Sequence, residues 1–506
     1  MSSKRGKRDW RRRGRDQPLR SVVSGTGSFG EVVTGELFPQ VQVDFVNGYH
    51  ADLLYEYTAV TGSISYSDSM AVLSTGATQY GTAYLRSEHA VRYRPGQGTI
   101  GRFTALFDTP VVGVSQTAGC FGGAENGLFF GYDYNDSQAR FGVCVQAFGV
   151  REIRTLTVTV ASAGAETVTI TLNGTAFNVS TTAGTAAETA QEIAEGTFTG
   201  WTAEADGADV HFMNDSVGAK SGAYTISSTG AADGTFAQDA AGAAVEEDWV
   251  YQANWNYDSF DGTGPSGANL DWTKGNVFEV KLQYLGFGGI DFLVENPETR
   301  EFELAHRYEY AGERIKPTLS NPTFHLGAAC SGVDVGSDVT MKLGSLGGFV
   351  EGPHHVLGPN HGVSADGNLG ATSTAPVLSM RNNEVFINNG VARTNLRDII
   401  PQNISCSGSG SNKPLKVEVI LNGTLTDPLW TTYDTTHSFA STDTSATAIS
   451  GGDVLFATGF SSGGGVNDEM QDHDLVVRPG DILSVVLTTT GNAADYVASL
   501  TWKEDA

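Results

Sequence analysis

The sequence has no long apolar run and few charged residues, and both shortages limit what the protein can be. Nowhere in its 506 residues do apolar residues continue for the roughly 18 positions that a membrane-spanning helix needs. The first residues also lack the apolar core of a secretory signal, so we expect neither a membrane helix nor export. Charged residues make up only 17% of the chain, whereas glycine occurs 63 times. This composition is typical of many short strands joined by tight turns.

Cysteine is scarce as well. The four cysteines, Cys120, Cys144, Cys330 and Cys406, lie far apart and form no Cys-x-x-Cys pair. The sequence therefore contains neither a zinc cluster nor a redox motif of that kind. The spacing favours buried free thiols. The alternative is a bridge between Cys120 and Cys144, which would require an oxidising environment.

Motifs of the common enzyme classes are also missing. The chain has no Gly-x-Ser-x-Gly elbow, no His-Glu-x-x-His helix and no Walker loop. Gly25 to Val32 matches the Gly-rich loop of a protein kinase, but the catalytic loop and the Asp-Phe-Gly motif are absent, so we interpret this stretch as a linker. We predict no enzymatic activity and no cofactor. An enzyme that degrades polysaccharide remains an alternative, because a pair of catalytic carboxylates leaves no sequence motif.

Charge is distributed unevenly between the first 20 residues and the rest. These residues contain nine Lys or Arg and two Asp, a net charge of +7, and subtracting it from the total of −26 leaves −33 on the remainder. An acidic body repels nucleic acid, whereas a basic arm binds phosphates or an acidic protein surface. A solvated tail is the alternative. We predict an anchoring arm that consists of Lys4, Arg5, Lys7, Arg8, Arg11, Arg12, Arg13 and Arg15.

Apolar and polar residues alternate along most of the chain, and no fixed-period repeat is present. Asn173-Gly174 and Asn422-Gly423 each separate two apolar runs. Asn-Gly suits a type I′ turn, which needs positive φ at both central residues, so both sites predict hairpins. We predict a mainly β protein with two antiparallel, jelly-roll-like β-sandwich domains and one small α/β inserted domain.

Shifts in composition predict the domain boundaries. Residues 1–35 form the basic arm and a Gly-rich linker, residues 36–153 and 246–350 one discontinuous β-sandwich, and residues 154–245 the inserted α/β domain. Residues 351–375 are predicted to be a linker and residues 376–506 a C-terminal β-sandwich. The insert contains the only convincing helix, because Thr185 and Glu188 have the spacing of a capping box and Gly196 follows the helical stretch.

Three tryptophans are candidates for a glycan-binding face. Trp249, Trp255 and Trp272 lie in a stretch that is crowded with aromatic and polar side chains. Sugar-binding sites combine apolar ring faces with directional hydrogen bonds, and this stretch offers both. Core packing demands the same residues, and the pattern favours core packing.

Metal binding has weaker support in the sequence. His354, His355 and His361 are close enough for a transition-metal site, but three histidines in one loop are more often solvated. The acidic pairs Asp133/Asp136 and Asp258/Asp261 offer oxygen ligands without the spacing of a calcium loop. We therefore predict no metal.

A set of short motifs between Val91 and Cys330 resembles a known family. The motifs are Arg92 to Gly98, Arg102 to Phe107, Glu125 to Tyr132, Phe260 to Gly267, Leu270 to Val277, Tyr284 to Gly288 and Leu319 to Pro322. They are similar to motifs of a poorly characterised family of virion structural proteins, found in tailed bacteriophages and some large DNA viruses. The resemblance implies a location in the virion, after assembly in the host cytoplasm, and it implies no catalytic mechanism.

Together, the resemblance and the charge distribution predict a non-enzymatic virion structural protein. It would be a capsid-surface decoration or fibre protein, or a tail fibre component, held by the basic arm. The expected partners are other virion proteins, in a homotrimer or another homo-oligomer by analogy with viral fibres. The first alternative is a lectin-like tail adhesin that binds a host surface glycan, and the second is an enzyme that degrades envelope polysaccharide. We expect no membrane partner, and nucleic acid only through residues 1–20.

Overall fold

The computed structural model describes residues 37–333, 335–352, 358–388, 391–434, 437–470 and 475–505. The basic arm, His354 and His355 lie outside the described residues. The described chain is mainly β, as predicted, with antiparallel pairs such as β1 with β22 and β27 with β36. No helix of the described chain is long and apolar enough to span a membrane.

The strands and the helix follow in chain order. The first group is β1 (Leu37–Asp44), β2 (Leu54–Ala59), β3 (Ser63–Ser67), β4 (Met70–Ser74), β5 (Thr82–Ser87), β6 (Thr99–Leu106), β7 (Val114–Gly122), β8 (Asn126–Tyr132) and β9 (Phe141–Ala147). The second is β10 (Arg151–Val160), β11 (Glu166–Leu172), β12 (Thr175–Thr181), α1 (Ala186–Ala194), β13 (Trp201–Asp206), β14 (Asp209–Val217), β15 (Thr225–Ser228) and β16 (Asp233–Ala240). The third is β17 (Glu246–Tyr251), a short 3-10 helix (Gln252–Asn254), β18 (Asn276–Leu282), β19 (Ile290–Glu295), β20 (Phe302–Tyr308), β21 (His325–Gly332) and β22 (Thr340–Glu351). The last is β23 (Asn360–Leu369), β24 (Thr374–Asn382), β25 (Val385–Asn388), β26 (Val391–Thr394), β27 (Ile399–Ser409), β28 (Leu415–Leu421), β29 (Thr424–Thr426), β30 (Thr431–Thr432), β31 (Ala440–Asp443), β32 (Ala448–Ser450), β33 (Asp453–Phe460), β34 (Gly464–Glu469), β35 (Ile482–Thr489) and β36 (Ala494–Glu504).

The first of two compact units contains residues 37–122, 127–145 and 248–352. One of its sheets has the strand order β20-β19-β18-β6-β22-β4-β3, with β1 beside β22, and the other has the order β17-β9-β8-β7-β21-β5-β2. Rings from both sheets meet between them. Phe103 of β6 lies 6.3 Å from Phe130 of β8, and Phe130 lies 4.7 Å from Phe278 of β18, measured between ring centroids. This unit is therefore a β-sandwich with an aromatic core.

The second unit contains residues 123–126, 146–247 and 358–505. Its inserted part has the sheets β13-β14-β10-β16 and β12-β11-β15, and α1 packs in the same core. Its C-terminal part has the sheets β23-β36-β27-β34 and β30-β31-β24-β35-β28-β33, around a core that includes the fully buried Trp502. The segments that the sequence predicted as an insert and a C-terminal domain thus belong to one compact unit.

Two local predictions about turns and caps are confirmed, and one is wrong. Thr185 caps α1 and forms the capping box with Glu188. Asn173 has a φ of 49° and joins β11 to β12 in a hairpin. Asn422 also has a positive φ, of 56°, but β28 pairs with β33 and β35, whereas β29 pairs with β32. The Asn422 side chain accepts a hydrogen bond from the Ile482 backbone (2.9 Å), which ties this turn to β35 instead of closing a hairpin.

The predicted linker of residues 351–375 is not irregular throughout. Residues 360–369 form β23, which pairs with β36 over its whole length. The strand is rich in Gly, Ser and Asn, and most of its side chains are exposed or half-buried. Because β23 is an edge strand with little to bury, it lacks the apolar alternation by which a strand is recognised in a sequence.

All four cysteines are free and buried, as the spacing predicted. Burial raises the pKa of Cys120, Cys330 and Cys406 to about 12. Because the thiolate is the reactive form, these thiols are inert at neutral pH and act as small core residues.

A buried polar network joins the two parts of the second unit. The Glu204 carboxylate accepts hydrogen bonds from the backbone N–H groups of Glu384 (2.8 Å) and Val385 (3.1 Å). Arg381 donates to the Ala205 carbonyl (2.8 Å), and its Nε lies 4.0 Å from Glu204 Oε1. An apolar cluster completes this joint with Ile153, Met213, Val385 and Ala392. The charges are held inside the unit by hydrogen bonds, as buried ionic groups must be.

Glu384 is expected to make the second unit less stable as the pH rises. Burial raises the pKa of its carboxyl from 4.5 to about 7, and the charges of Glu204 and Asp215 add to this shift, while Arg151 and a hydrogen bond from Thr202 oppose it. The folded state therefore holds a proton that the unfolded state loses. The resulting stability is fully present below pH 4.5 and is lost as the pH rises through 7. The shift corresponds to at most about 3 kcal/mol.

Urea unfolding between pH 5 and pH 8, followed by hydrogen exchange in peptides of residues 358–388, measures this effect. Glu384→Gln should stabilise the second unit at pH 8 and change it little at pH 5. Glu418→Gln, a half-exposed position on β28, is the control and should leave the pH dependence unaltered. A pH dependence that survives Glu384→Gln would show that another group causes it.

Candidate functional site

Aromatic and basic side chains collect on the outer face of the seven-stranded sheet in the first unit. Tyr55 of β2 lies opposite Arg86 of β5, and Tyr57 lies opposite Tyr84. Because side chains alternate along a strand, all four point away from the core, to which Leu85 and its neighbours belong. We call this surface the aromatic face, and its residues are Tyr55, Tyr57, Tyr84, Arg86, Phe121, Phe129, Trp249 and His325.

The rings of the aromatic face touch one another in a row across the sheet. Ring centroids are 6.2 Å apart for Tyr55 and Tyr84, 5.2 Å for Tyr84 and Phe121, and 4.6 Å for Phe121 and Phe129. Phe121 and Phe129 are buried, whereas Tyr55 is 39% and Tyr57 50% exposed. Solvent therefore reaches the tyrosine end of the row, at strands β2 and β5.

Glycine allows the rings to lie close to the sheet. A Cβ atom on Gly127 would lie 1.9 Å from the ring of Phe129. A Cβ on Gly119 would lie 2.1 Å from the Leu128 carbonyl oxygen, and Gly119 has a φ of +154° that side chains rarely adopt. A larger residue at Gly127 would push the Phe129 ring off the sheet, and one at Gly119 would clash with the backbone of β8, so the first glycine shapes the aromatic face and the second allows β7 and β8 to pair closely.

Arg86 places a positive charge at the exposed end of the row. Its guanidinium carbon lies 4.6 Å from the centroid of the Tyr55 ring, in a cation–π contact. Its Nη1 lies 2.9 Å from His325 Nδ1 and donates to the Ser87 carbonyl oxygen (3.3 Å). The aromatic face thus combines exposed rings with a fixed donor group, which is the composition of many ligand-binding surfaces.

The three candidate tryptophans occupy different environments. Trp255 and Trp272 are buried, and Trp272 stacks on Phe141 at 4.3 Å between ring centroids. Their ring faces are covered by other aromatic residues, which agrees with the core packing that the sequence pattern favoured and leaves neither ring face exposed to a glycan. Trp249 is half-buried and packs against the cluster of Phe121, Phe129 and Cys144 on the aromatic face. It is the only member of the predicted trio that belongs to this surface.

The predicted histidine cluster is only partly described. His361 is half-buried in β23, where its ring contacts Tyr433 (5.3 Å) and Trp502 (5.8 Å) and lies 3.9 Å from Glu504. Its partners are therefore aromatic and acidic residues of the second unit. Within the described ranges, no group of three or more His, Cys, Asp or Glu is arranged to hold a metal ion.

The acidic pairs accept hydrogen bonds from their own turns. Asp136 accepts from the Arg140 side chain at 3.0 Å, and this contact lowers the pKa of Asp136 to about 2. Asp258 accepts from the backbone of Phe260 (2.8 Å) and of Ser266 (2.7 Å). These carboxylates stabilise loops of the sandwich, since their oxygens are already committed to neighbouring donors.

Comparison with known proteins adds little to this description. No family model and no curated protein matches the chain. Among solved structures, it is similar to the cellulose induced protein Cip1, with 9% identity and a TM-score of 0.27 over 61% of this chain and 96% of that one. It is also similar to arcelin-5, a lectin-like defence protein from Phaseolus vulgaris (7% identity, TM-score 0.24, over 62% and 99% of the two chains). A protein from work on the triple jelly roll fold and turret assembly in an archaeal virus matches at 7% identity and a TM-score of 0.16, over 93% and 98%. Likenesses with such low TM-scores carry no argument about family, ligand or activity.

Proposed function

We propose that this chain is a non-enzymatic structural protein of a virus particle, a capsid-surface decoration or fibre protein or a tail fibre component. The observation that carries the proposal is the separation of charge, with +7 on residues 1–20 and −33 on the rest. The arm attaches the subunit to an acidic partner in the particle, while the acidic β-rich body stays soluble and resists self-association through its charge. Copies of the chain form a homotrimer or another homo-oligomer.

Labelling of purified particles tests this function directly. Antibodies against the chain, combined with a copy count from the particle proteome, should place it on the capsid or on the tail. Label over the capsid identifies a decoration or head-fibre protein, and label confined to the tail identifies a tail component. Particles without the protein would contradict the proposal.

The arm is expected to be necessary for incorporation into particles. Removal of residues 1–20 should abolish incorporation while the body stays folded, because the removed segment carries the whole positive excess of the chain. Particle sedimentation followed by immunoblotting measures this. Replacing Arg11, Arg12 and Arg13 with lysine should preserve incorporation, since charge and not sequence makes the contact. If purified particles that lack DNA fail to bind the intact chain, the partner of the arm is nucleic acid and not protein.

A second candidate function is saccharide binding at the aromatic face. The observation in its favour is the exposure of Tyr55 and Tyr57 beside the fixed guanidinium of Arg86. Sugars bind to exposed ring faces through their apolar C–H surfaces and to nearby donors through their hydroxyls. A virion protein with this surface would recognise glycan on the host. Release of reducing ends during incubation with polysaccharide would instead indicate a degrading enzyme.

Tyr57→Ala should abolish saccharide binding without unfolding the first unit, because half of this side chain is solvent-exposed. A glycan array followed by calorimetry measures binding, and circular dichroism measures folding. Tyr257→Ala is a matched control, since Tyr257 is 44% exposed and also lies beside an arginine, with Arg307 at 5.6 Å. Equal losses for both variants would exclude the aromatic face as the binding site.

A further inference from the structure

Arg86 differs in its partners from half of the fourteen arginines of the described chain. Seven arginines have a carboxylate oxygen within 4.0 Å of the guanidinium: Arg102, Arg140, Arg151, Arg154, Arg307, Arg314 and Arg381. Arg86 has no such partner among the described residues. The chain has 57 acidic and 31 basic residues, so carboxylates are in excess. Arg86 is therefore held in place by groups other than a carboxylate, in a chain where carboxylates are plentiful.

The contacts of Arg86 engage one nitrogen of the guanidinium. Nη1 faces His325 Nδ1 and the Ser87 carbonyl oxygen, and the plane of the group lies against Tyr55. Among the described residues, Nε and Nη2 donate no hydrogen bond. These two groups form the edge of an arginine that binds a carboxylate or a sulfate through two parallel hydrogen bonds. The guanidinium is thus oriented by an aromatic ring, a carbonyl oxygen and an imidazole, and its Nε and Nη2 edge has no acceptor among the described residues.

His325 adds a second polar group at the same place. Its Nδ1 lies 2.8 Å from the Ser87 carbonyl oxygen as well as 2.9 Å from Arg86 Nη1. A protonated Nδ1 donates to the carbonyl, and the neutral tautomer with a bare Nδ1 accepts from the guanidinium, so one atom cannot satisfy both partners.

We propose that the aromatic face binds a saccharide that carries an anionic group, a carboxylate or a sulfate. The rings of Tyr55 and Tyr57 contact the sugar, and the Nε and Nη2 edge of Arg86 holds its charge. This inference rests on the second candidate function above. Because the surrounding body is acidic and repels anions, Arg86 is the group on this face that would supply the attraction.

Matched pairs of sugars test the anion separately from the sugar ring. Calorimetry of the full chain would use hexagalacturonic acid and 3′-sialyllactose, each with its methyl ester, and 3′-sulfolactose with lactose. Each pair differs by one kind of anionic group, and the two lactose derivatives distinguish carboxylate from sulfate. At least one acidic sugar should bind at least about tenfold more tightly than its neutral partner, as expected for a charge-assisted bidentate contact. Arg86→Gln should remove this preference, and Arg86→Lys should keep part of it.

Two controls separate Arg86 from other cations. Arg300→Gln removes an exposed charge from a turn beside β20 of the other sheet and should change nothing. A variant with Arg11, Arg12 and Arg13 replaced by glutamine tests attraction by the basic arm. The inference is overturned if this variant loses the preference while Arg86→Gln keeps it. Equal affinity within every pair would overturn the proposed preference for an anionic group and leave saccharide binding intact. If none of the sugars binds, both the preference and saccharide binding at the aromatic face are overturned.

Discussion

Replacing Trp272 with alanine is expected to lower the free energy of unfolding of the first unit by about 3–5 kcal/mol. The Trp272 ring stacks on Phe141, with ring centroids 4.3 Å apart, and lies 6.0 Å from the Trp255 ring and 6.1 Å from that of Phe278. Its Nε1 donates to the Gln252 side chain at 3.0 Å. The substitution would leave a cavity among aromatic rings and a glutamine oxygen without its donor, and both effects destabilise the fold.

Urea unfolding with hydrogen exchange in peptides of β18 and β9 measures the loss for this unit. Trp249→Ala is the matched control, because Trp249 is half-buried on the outer face and should cost less. Trp272→Phe should recover part of the stability by preserving the stack on Phe141. If Trp272→Ala left stability intact and instead removed binding to saccharide, the assignment of Trp272 to the core would be wrong.

Local features of this fold could be predicted from the sequence, because each depends on neighbours along the chain. The capping box of Thr185 and Glu188 spans four residues, and the Asn173-Gly174 hairpin joins adjacent strands. The mainly β class follows in the same way from alternation within each strand. The failure at Asn422 shows the limit, since its turn is decided by contact with β35 some sixty residues away.

The aromatic face could not be predicted, because it depends on register between distant strands. Tyr55 meets Arg86 through the pairing of β2 with β5, and His325 reaches them only through β21. The period-2 spacing of Tyr55 and Tyr57 is visible in the sequence, but it does not indicate which face is exposed. The cluster of tryptophans is the more obvious signal in the sequence, but Trp255 and Trp272 lie in the core. Large aromatic residues serve both packing and binding, so their presence alone does not identify a binding surface.

Replacing Arg381 with methionine is expected to lower the stability of the second unit by about 3–5 kcal/mol, the usual cost of breaking a buried ion pair. Arg381 is 9% exposed, donates to Asn383 (2.9 Å) and to the Ala205 carbonyl, and lies over Trp430 at 4.8 Å. Without it, the Glu204 carboxylate would stay buried without its nearest cation. Methionine preserves most of the volume, so the loss reports on charge and hydrogen bonding rather than on a cavity.

A double-mutant cycle with Glu204→Gln measures how much of this loss belongs to the pair. The double variant should be more stable than the sum of the two single losses predicts, because removing both charges leaves no uncompensated ion. The loss from Arg381→Met should also be smaller at pH 5 than at pH 8, since protonation of Glu384, with its pKa of about 7, removes a second negative charge from the same joint. Strictly additive losses with no pH dependence would mean that Arg381 stabilises the joint through its contact with Trp430 and its hydrogen bond to Asn383, and not through charge.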